Sequence, residues 1–111
     1  MWRFCGRTHS WQRIECFGDQ PSGRDGHSMS NWKNKIIVFA GFDSEVECYS
    51  NETHVFDINT RIWTKTITSG APARWRDFHT AAEINNKLYI FGGRSDIFGQ
   101  MQSSNDFYCN T

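Results

Sequence analysis

Short apolar runs alternate with polar turn residues along the whole chain. The two longest runs are "IIVFAGF" (36–42) and "LYIFGG" (88–93), and an Asn-Lys pair precedes each of them. A short alternating segment comes before each pair, "HSMSNW" (27–32) in the first case and "HTAAEI" (79–84) in the second. Alternating segments joined by turn residues are typical of β-hairpins. Each region therefore predicts two antiparallel strands joined by a tight turn.

A second pair of strands follows the first hairpin. The segments "ETHVFDI" (52–58) and "RIWTKTI" (61–67) are rich in β-branched and aromatic residues, and a polar turn around 57–61 joins them. Together the two pairs make four strands in a unit of about fifty residues. This spacing predicts an all-β fold built from four-stranded antiparallel sheets.

Residues that lie 52 positions apart match along most of the chain. The matched pairs are Trp11 and Trp63, Gly18 and Gly70, Arg24 and Arg76, Asp25 and Asp77, His27 and His79, Phe39 and Phe91, and Gly41 and Gly93. A fixed period of this size indicates a repeat architecture in which each repeat is one supersecondary unit.

Three stretches carry a family resemblance. They are "YIFGG" (89–93), "VFDINTRIW" (55–63) and "IVFAG" (37–41), in which Ala40 departs from the Gly-Gly pattern. An apolar run that ends in Gly-Gly, followed by an aromatic residue before an Asp turn and then by Trp, resembles the kelch repeat. The resemblance implies a kelch β-propeller fragment with four-stranded antiparallel blades, whose complete relatives close into a ring.

The register of the repeat implies part of such a ring. Residues 1–20 match the end of a preceding blade, 21–70 a complete kelch blade, and 71–111 the first part of the next blade. We expect the ring not to be closed and the strand edges at both ends to be unpaired. Because repeat proteins usually need about three repeats for stability, we also expect the chain alone to associate or to be partly unfolded.

Composition and charge narrow the class of protein. The chain has 111 residues, of which 38% are hydrophobic, and its 12 basic residues balance its 12 acidic residues. We find no basic stripe for nucleic acid, no run of membrane-spanning length and no signal peptide. The four cysteines form no Cys-x-x-Cys motif, which favours reduced thiols and a cytoplasmic or nuclear location.

Most of the recurring residues are expected to support the fold. Glycines at the end of the second strand favour sharp turns or close backbone approach, and Ala40 is expected to be tolerated with a negative φ. The two tryptophans, Trp11 and Trp63, are expected to be buried in outer strands. The residues assigned a structural role are Gly41, Gly92, Gly93, Trp63, His27 and His79.

The motif Arg-Asp-x-His occurs at 24–27 and at 76–79, where the chain enters the first strand of each blade. In a structural interpretation, the histidines bond to the backbone of the adjacent blade and the aspartates pair with the arginines. In a functional interpretation, Arg24, Arg76 and Arg94 surround the mouth of the central channel. A guanidinium group there would suit a carboxylate, because its planar fork can donate two parallel hydrogen bonds.

The family resemblance implies that this mouth captures the C-terminal end of a peptide. Arg94 follows Gly-Gly in "FGGRSD" and matches a carboxylate-binding arginine of such relatives. Phe42 has the same post-glycine position in the previous blade and matches an aromatic wall, whereas Ile97 replaces a second arginine. The candidate peptide-binding residues are Arg94, Arg76, Phe42, Trp75 and Arg24.

Two function classes remain open. The resemblance implies a substrate receptor of a cullin-RING E3 ubiquitin ligase that recognises C-terminal peptide degrons, with elongin and a cullin-2 type scaffold bound through a segment after the propeller. The alternative is a non-degradative kelch scaffold that binds chromatin or cytoskeletal proteins. No catalytic or metal-binding motif stands out, so we expect a protein that is not an enzyme and has no cofactor and no metal.

Overall fold

The computed structural model describes the backbone of residues 1–97, 100–103 and 107–110 and the side chains of residues 1–95. Every regular element in these ranges is a β-strand, which confirms the all-β prediction. No helix in this part of the chain is long and apolar enough to cross a membrane. The strands are β1 (Trp2–Cys5), β2 (Ser10–Arg13), β3 (Phe17–Gly18), β4 (Arg24–Asp25), β5 (Ser28–Trp32), β6 (Lys35–Asp43), β7 (Cys48–Asp57), β8 (Ile62–Lys65), β9 (Thr80–Ile84), β10 (Lys87–Phe91), β11 (Arg94–Ile97), β12 (Gln100–Ser103) and β13 (Phe107–Asn110).

The first blade is a twisted sheet with the strand order β3-β8-β7-β6-β4, and β5 pairs with β6 beside β4. Antiparallel pairing connects β5 through β8, so the four strands predicted between residues 27 and 67 all form. The short strand β3 runs parallel to β8 at the outer edge. The sheet of the first blade thus includes residues 17–18, which lie before the predicted start of this blade at residue 21. The division of the chain into blades stays a prediction.

The second blade repeats the same plan. Strand β10 pairs with β9 on one side and with β13 on the other, and β11 pairs with β12 as a separate hairpin. Two-residue turns connect β5 to β6 and β9 to β10, and Lys33, Asn85 and Asn86 have positive φ values in these turns. Such turns fit the right-handed twist of a hairpin, which explains the polar turn residues before each apolar run.

A β-bulge interrupts β6 between Phe39 and Gly41. Ala40 has a φ of 62° and Gly41 a φ of 94°, so the expected negative φ at Ala40 is wrong. The reason is the bulge, which turns the backbone into the left-handed region at both residues. In the second blade the equivalent pair is Gly92 and Gly93, with φ values of 78° and 91°.

Two apolar clusters hold the sheets together. The first lies between the blades and contains Phe39, Ala40, Leu88 and Ile90. The second lies on the opposite side of the first blade and contains Val38, Phe56 and Trp63. Because alternate residues of a strand point to opposite faces, β6 contributes Phe39 to one cluster and Val38 to the other.

The N-terminal hairpin, formed by β1 and β2, departs from the expectation for Trp11. This side chain is 66% exposed and lies against Phe4, with the ring centroids 5.2 Å apart. Trp63, its partner in the repeat, is 7% exposed and packs on Phe56. The predicted burial of Trp11 is therefore wrong, because β2 pairs with β1 instead of forming the outer strand of a described blade.

Candidate functional site

The segment Trp75–Phe78 connects the two blades through backbone hydrogen bonds. The amide of Arg76 donates to the carbonyl of Ser50 (3.0 Å), and the amide of Gly41 donates to the carbonyl of Arg76 (2.8 Å). The amide of Phe78 donates to the carbonyl of Gly26 (2.8 Å). This segment is therefore fixed against the first blade although it belongs in sequence to the second.

Asp77 and Arg94 form the centre of the site. Their backbones exchange two hydrogen bonds, of 3.0 and 2.9 Å. Arg94 also donates from Nε to Oδ1 of Asp77 (2.9 Å) and from Nη2 to Oδ2 (3.5 Å). The side chain of Asp77 is 2% exposed, whereas that of Arg94 is 48% exposed. A buried carboxylate thus holds a guanidinium group that reaches the surface.

One aromatic ring lies against this arginine, and three others lie on the two segments that flank the contact between the blades. Arg94 Cζ lies 4.6 Å from the ring centroid of Phe78, a cation–π geometry. On the neighbouring β6–β7 hairpin, Phe42 and Tyr49 face each other across the strands, with centroids 5.2 Å apart and an angle of 77°. Trp75 is 44% exposed at the start of the connecting segment. We call Phe42, Tyr49, Trp75, Asp77, Phe78 and Arg94 the rim site.

The surroundings of Arg94 in the rim site favour its charged form. The hydrogen bond that Arg94 donates to Asp77 raises the pKa of the Arg94 guanidinium, and the charges of Asp77, Tyr49 and Asp25 add to this effect. The rim site therefore presents one fixed positive charge next to exposed aromatic surface.

Arg24 and Arg76 point into the protein and act on the backbone. Arg76 is fully buried and donates from Nη1 to the carbonyl of Gly92 (2.8 Å). Arg24 donates from Nη1 to the carbonyl of Ala40 (3.1 Å). Each arginine thus supplies a donor to the carbonyl of the first residue of the Ala-Gly or Gly-Gly pair. Of the three candidate arginines, Arg94 is the one whose side chain is substantially exposed.

Comparison with known proteins identifies the family. The family model described as the KLHDC2/KLHL20/DRC7 Kelch-repeats domain matches residues 1–111. The chain belongs to the kelch-repeat family. It is 42% identical to Kelch domain-containing protein 3 of Rattus norvegicus and 41% identical to that of Homo sapiens, each over 99% of this chain and 29% of the relative. It is 31% identical to Kelch domain-containing protein 2 of Bos taurus over 83% of this chain and 28% of that relative.

The chain therefore spans less than a third of the length of these kelch relatives. Membership in the kelch-repeat family makes it part of a protein-interaction module.

Asp77 and His79 have other partners than the structural interpretation of the motif expects. Asp77 pairs with Arg94, whereas Arg76 donates to the carbonyl of Gly92. His79 Nε2 is hydrogen-bonded to the Ser28 hydroxyl of the adjacent blade (2.7 Å), and not to its backbone. Burial, together with the charges of Arg76 and His27, lowers the pKa of His79 to about 4.

A second polar cluster surrounds Arg24 on the outer part of the first kelch blade. Its Nη2 lies 3.7 Å from Asp43 and 3.9 Å from Glu52, and Glu52 also pairs with Lys65 at 2.8 Å. The side chain of His54 is 5% exposed beside Glu52, and burial lowers the pKa of this histidine. Among residues 1–95, no three His, Cys, Asp or Glu side chains form a group that could hold a metal ion.

Sequence reasoning missed three members of the rim site, namely Tyr49, Asp77 and Phe78 as neighbours of Arg94. The β6–β7 hairpin register contains the signal for Tyr49, because a turn at residues 44–47 places it opposite Phe42. Phe78 has no such signal, since its contact with Arg94 depends on how the connecting segment crosses between blades.

Proposed function

We propose that the rim site binds the C-terminal carboxylate of a peptide or protein substrate. The observation that carries this proposal is the half-exposed guanidinium of Arg94, which the buried Asp77 and the ring of Phe78 hold in one orientation. Asp77 accepts hydrogen bonds from Nε and Nη2. A guanidinium group has five N–H donors, so this pairing leaves other donors of the same group for a ligand.

Fixing Arg94 before the ligand binds favours affinity. An arginine that is already ordered loses less conformational entropy when it meets a carboxylate. A hydrogen bond to a charged group contributes about 1.5–3 kcal/mol, which corresponds to roughly a tenfold or larger change in Kd. An internal peptide bond carries no charge and cannot make this interaction. The exposed rings of Trp75 and Phe78 would contact the residues that precede the terminus.

The roles within the site follow from exposure. Arg94 contacts the carboxylate, while Phe42 and Trp75 form apolar walls. Arg76 and Arg24 support the backbone through the carbonyls of Gly92 and Ala40 and act on the site indirectly.

The test uses the full-length protein that contains this chain. A peptide library with free C-termini is screened by fluorescence polarisation, and the best binder is remade with an amidated C-terminus. We expect amidation to weaken binding at least tenfold, Arg94→Gln to do the same, and Arg94→Lys to weaken it less. The control Arg61→Gln, in an exposed turn, should leave Kd unchanged. Equal affinity for the free and amidated peptides would refute carboxylate recognition.

We extend the proposal to the cellular role of a substrate receptor in a cullin-RING E3 ubiquitin ligase. Elongin and a cullin-2 type scaffold would bind outside this chain, and the support for this role is the resemblance to kelch receptors. Copurification of elongin and cullin-2 with the full-length protein tests it. If carboxylate binding holds but neither partner copurifies, the non-degradative scaffold for chromatin or cytoskeletal proteins becomes the better interpretation. A cytoplasmic or nuclear location stays a prediction.

A further inference from the structure

Gly26 lies in the contact between the two blades, next to the groups that hold Arg94. A Cβ atom added to Gly26 would lie 2.7 Å from the Cβ of Asp77 and 3.1 Å from the amide nitrogen of Phe78. The carbonyl of Gly26 also accepts a hydrogen bond from this amide (2.8 Å). Asp77 and Phe78 are the residues that fix the guanidinium group of Arg94. Gly26 therefore packs against the supports of Arg94.

The backbone angle of Gly26 does not by itself require a glycine. Gly26 has a φ of 68°, and Phe78, at the equivalent position of the second blade, has a φ of 53°. The repeat thus accepts a large side chain in this left-handed conformation when the side chain has room, since Phe78 is 60% exposed. At Gly26 the space is taken by Asp77, whose side chain is 2% exposed and has little freedom to move. The close approach of the second blade, and not the φ value, accounts for glycine at this position.

Gly26 also links the two halves of the rim site. It follows β4, which pairs with β6 so that Asp25 lies opposite Phe42. Phe42 is on the first blade, whereas Arg94 is on the second blade and is held by Asp77. The packing of Asp77 on Gly26 therefore determines where Arg94 lies relative to the ring of Phe42.

We propose that Gly26 is a positioning residue of the rim site, because its lack of a side chain lets Asp77 hold Arg94 in the orientation that binds a free C-terminal carboxylate. This role rests on the proposed function, and Gly26 acts in it through Asp77 without contacting the ligand. A side chain at position 26 would push Asp77 away and misalign its hydrogen bonds to Arg94, and hydrogen bonds weaken steeply as they lose their alignment. The contact between the blades thus becomes part of the specificity of the site.

The experiment uses the full-length protein that contains this chain and one peptide in two forms, with a free and with an amidated C-terminus. Fluorescence polarisation gives the Kd of each form, and the ratio of the two Kd values measures recognition of the carboxylate. For Gly26→Ala we expect this ratio to fall from about tenfold or more to about threefold or less, because a misaligned charged hydrogen bond loses most of its strength. A partly unfolded sample lowers the binding of both forms by the same factor, so a loss of stability alone does not change the ratio.

Two further variants accompany Gly26→Ala. Gly70 has a φ of 80°, but no described atom lies within 4 Å of an added Cβ. The matched control Gly70→Ala therefore carries the backbone cost without the contact and should keep the ratio of the parent. Asp77→Asn keeps the shape of the side chain and its packing on Gly26 but removes the charge that pairs with Arg94, so it should lower the ratio as Gly26→Ala does.

The outcomes separate this role from the proposed function. If the parent binds the free and amidated peptides equally, carboxylate binding is refuted and the role of Gly26 falls with it. If the parent discriminates between them and folded Gly26→Ala does so equally well, the positioning role is wrong while carboxylate binding stands. Should Gly26→Ala fail to fold, Asp77→Asn decides: a lowered ratio supports the role and an unchanged ratio overturns it, since the route from Gly26 to Arg94 passes through Asp77. A ratio that Gly70→Ala lowers as much as Gly26→Ala would also overturn it, because backbone strain would then be the cause.

Discussion

Replacing Gly93 with alanine should destabilise the protein by more than its backbone angle alone requires. Gly93 has a φ of 91°, and a Cβ atom there would lie 2.6 Å from the carbonyl oxygen of Asp77 and 3.1 Å from the Cβ of His79. The left-handed conformation costs an L-residue about 1–2 kcal/mol. Relieving the clash requires the backbone of Asp77 to move, and this backbone exchanges two hydrogen bonds with Arg94.

Losing one or both of these bonds adds about 0.5–1.5 kcal/mol each. Adding these contributions gives an expected loss in the free energy of unfolding of about 1.5–5 kcal/mol for Gly93→Ala, with the upper part of this range reached when both bonds are lost. Urea denaturation followed by tryptophan fluorescence measures it, at a concentration where sedimentation shows one species.

Two other glycines separate the energetic cost of the positive φ from the cost of the close contact. Gly70 has a φ of 80° but no atom within 4 Å of an added Cβ, so Gly70→Ala should cost about 1–2 kcal/mol. Gly23 lacks both the positive φ and a close neighbour, and Gly23→Ala should change stability by less than about 0.5 kcal/mol. If Gly93→Ala and Gly70→Ala were equally destabilising, the close approach of the Asp77 backbone would have no energetic weight and the reasoning would fail.

Three further predictions concern buried groups. Arg76→Met should lower the free energy of unfolding by about 3–5 kcal/mol, because the backbone carbonyls of Arg74 and Gly92 each lose the charged donor that this buried side chain supplies. Arg74→Met, at an exposed position, is the control, and equal effects in the same urea assay would contradict this role. The free energy of unfolding should fall as the pH falls from about 6.5 to about 4, because burial lowers the pKa of His79 to about 4 and the unfolded chain takes up the proton first. In a pH series of melts, stability should depend less steeply on pH for His79→Gln, and an unchanged slope would exclude this histidine as a cause. Trp63→Ala should lower the free energy of unfolding by about 3–5 kcal/mol and the more exposed Trp11→Ala by less than about 1 kcal/mol. Similar losses for the two variants in urea denaturation would contradict this effect of burial.

The hairpins could be predicted from sequence because their signals are local. Polar turn residues, alternation and a terminal glycine act within about ten residues, and β5–β6 and β9–β10 form where these signals lie. The 52-residue period then predicts that the second hairpin repeats the first, which the register confirms. Local signals and repeat period agree here, so each supports the same structure.

The features that were not predicted depend on contacts between distant segments. The φ of Ala40 follows from a bulge whose carbonyl is bonded by Arg24, 16 positions away in sequence. The exposure of Trp11 follows from the pairing of β2 with β1, which replaces the outer-strand position that the repeat predicts. Alanine usually has a negative φ and tryptophan is usually buried, but Ala40 has a positive φ and Trp11 is exposed. The spacing of residues in the sequence does not distinguish these environments.

The repeat itself separates support from recognition in the rim site. Two pairs of matched residues act on the backbone: Arg24 and Arg76 donate to the carbonyls of Ala40 and Gly92, and Gly41 and Gly93 allow close approach. The exposed rim residues are those in which the units differ, since Trp75 replaces Gly23, Phe78 replaces Gly26 and Arg94 replaces Phe42. Gly26 cannot carry a side chain, because an added Cβ would lie 2.7 Å from the Cβ of Asp77. A fold made of equal blades constrains the matched positions alike, so a site that recognises one particular ligand has to arise at unmatched positions, as Arg94 does.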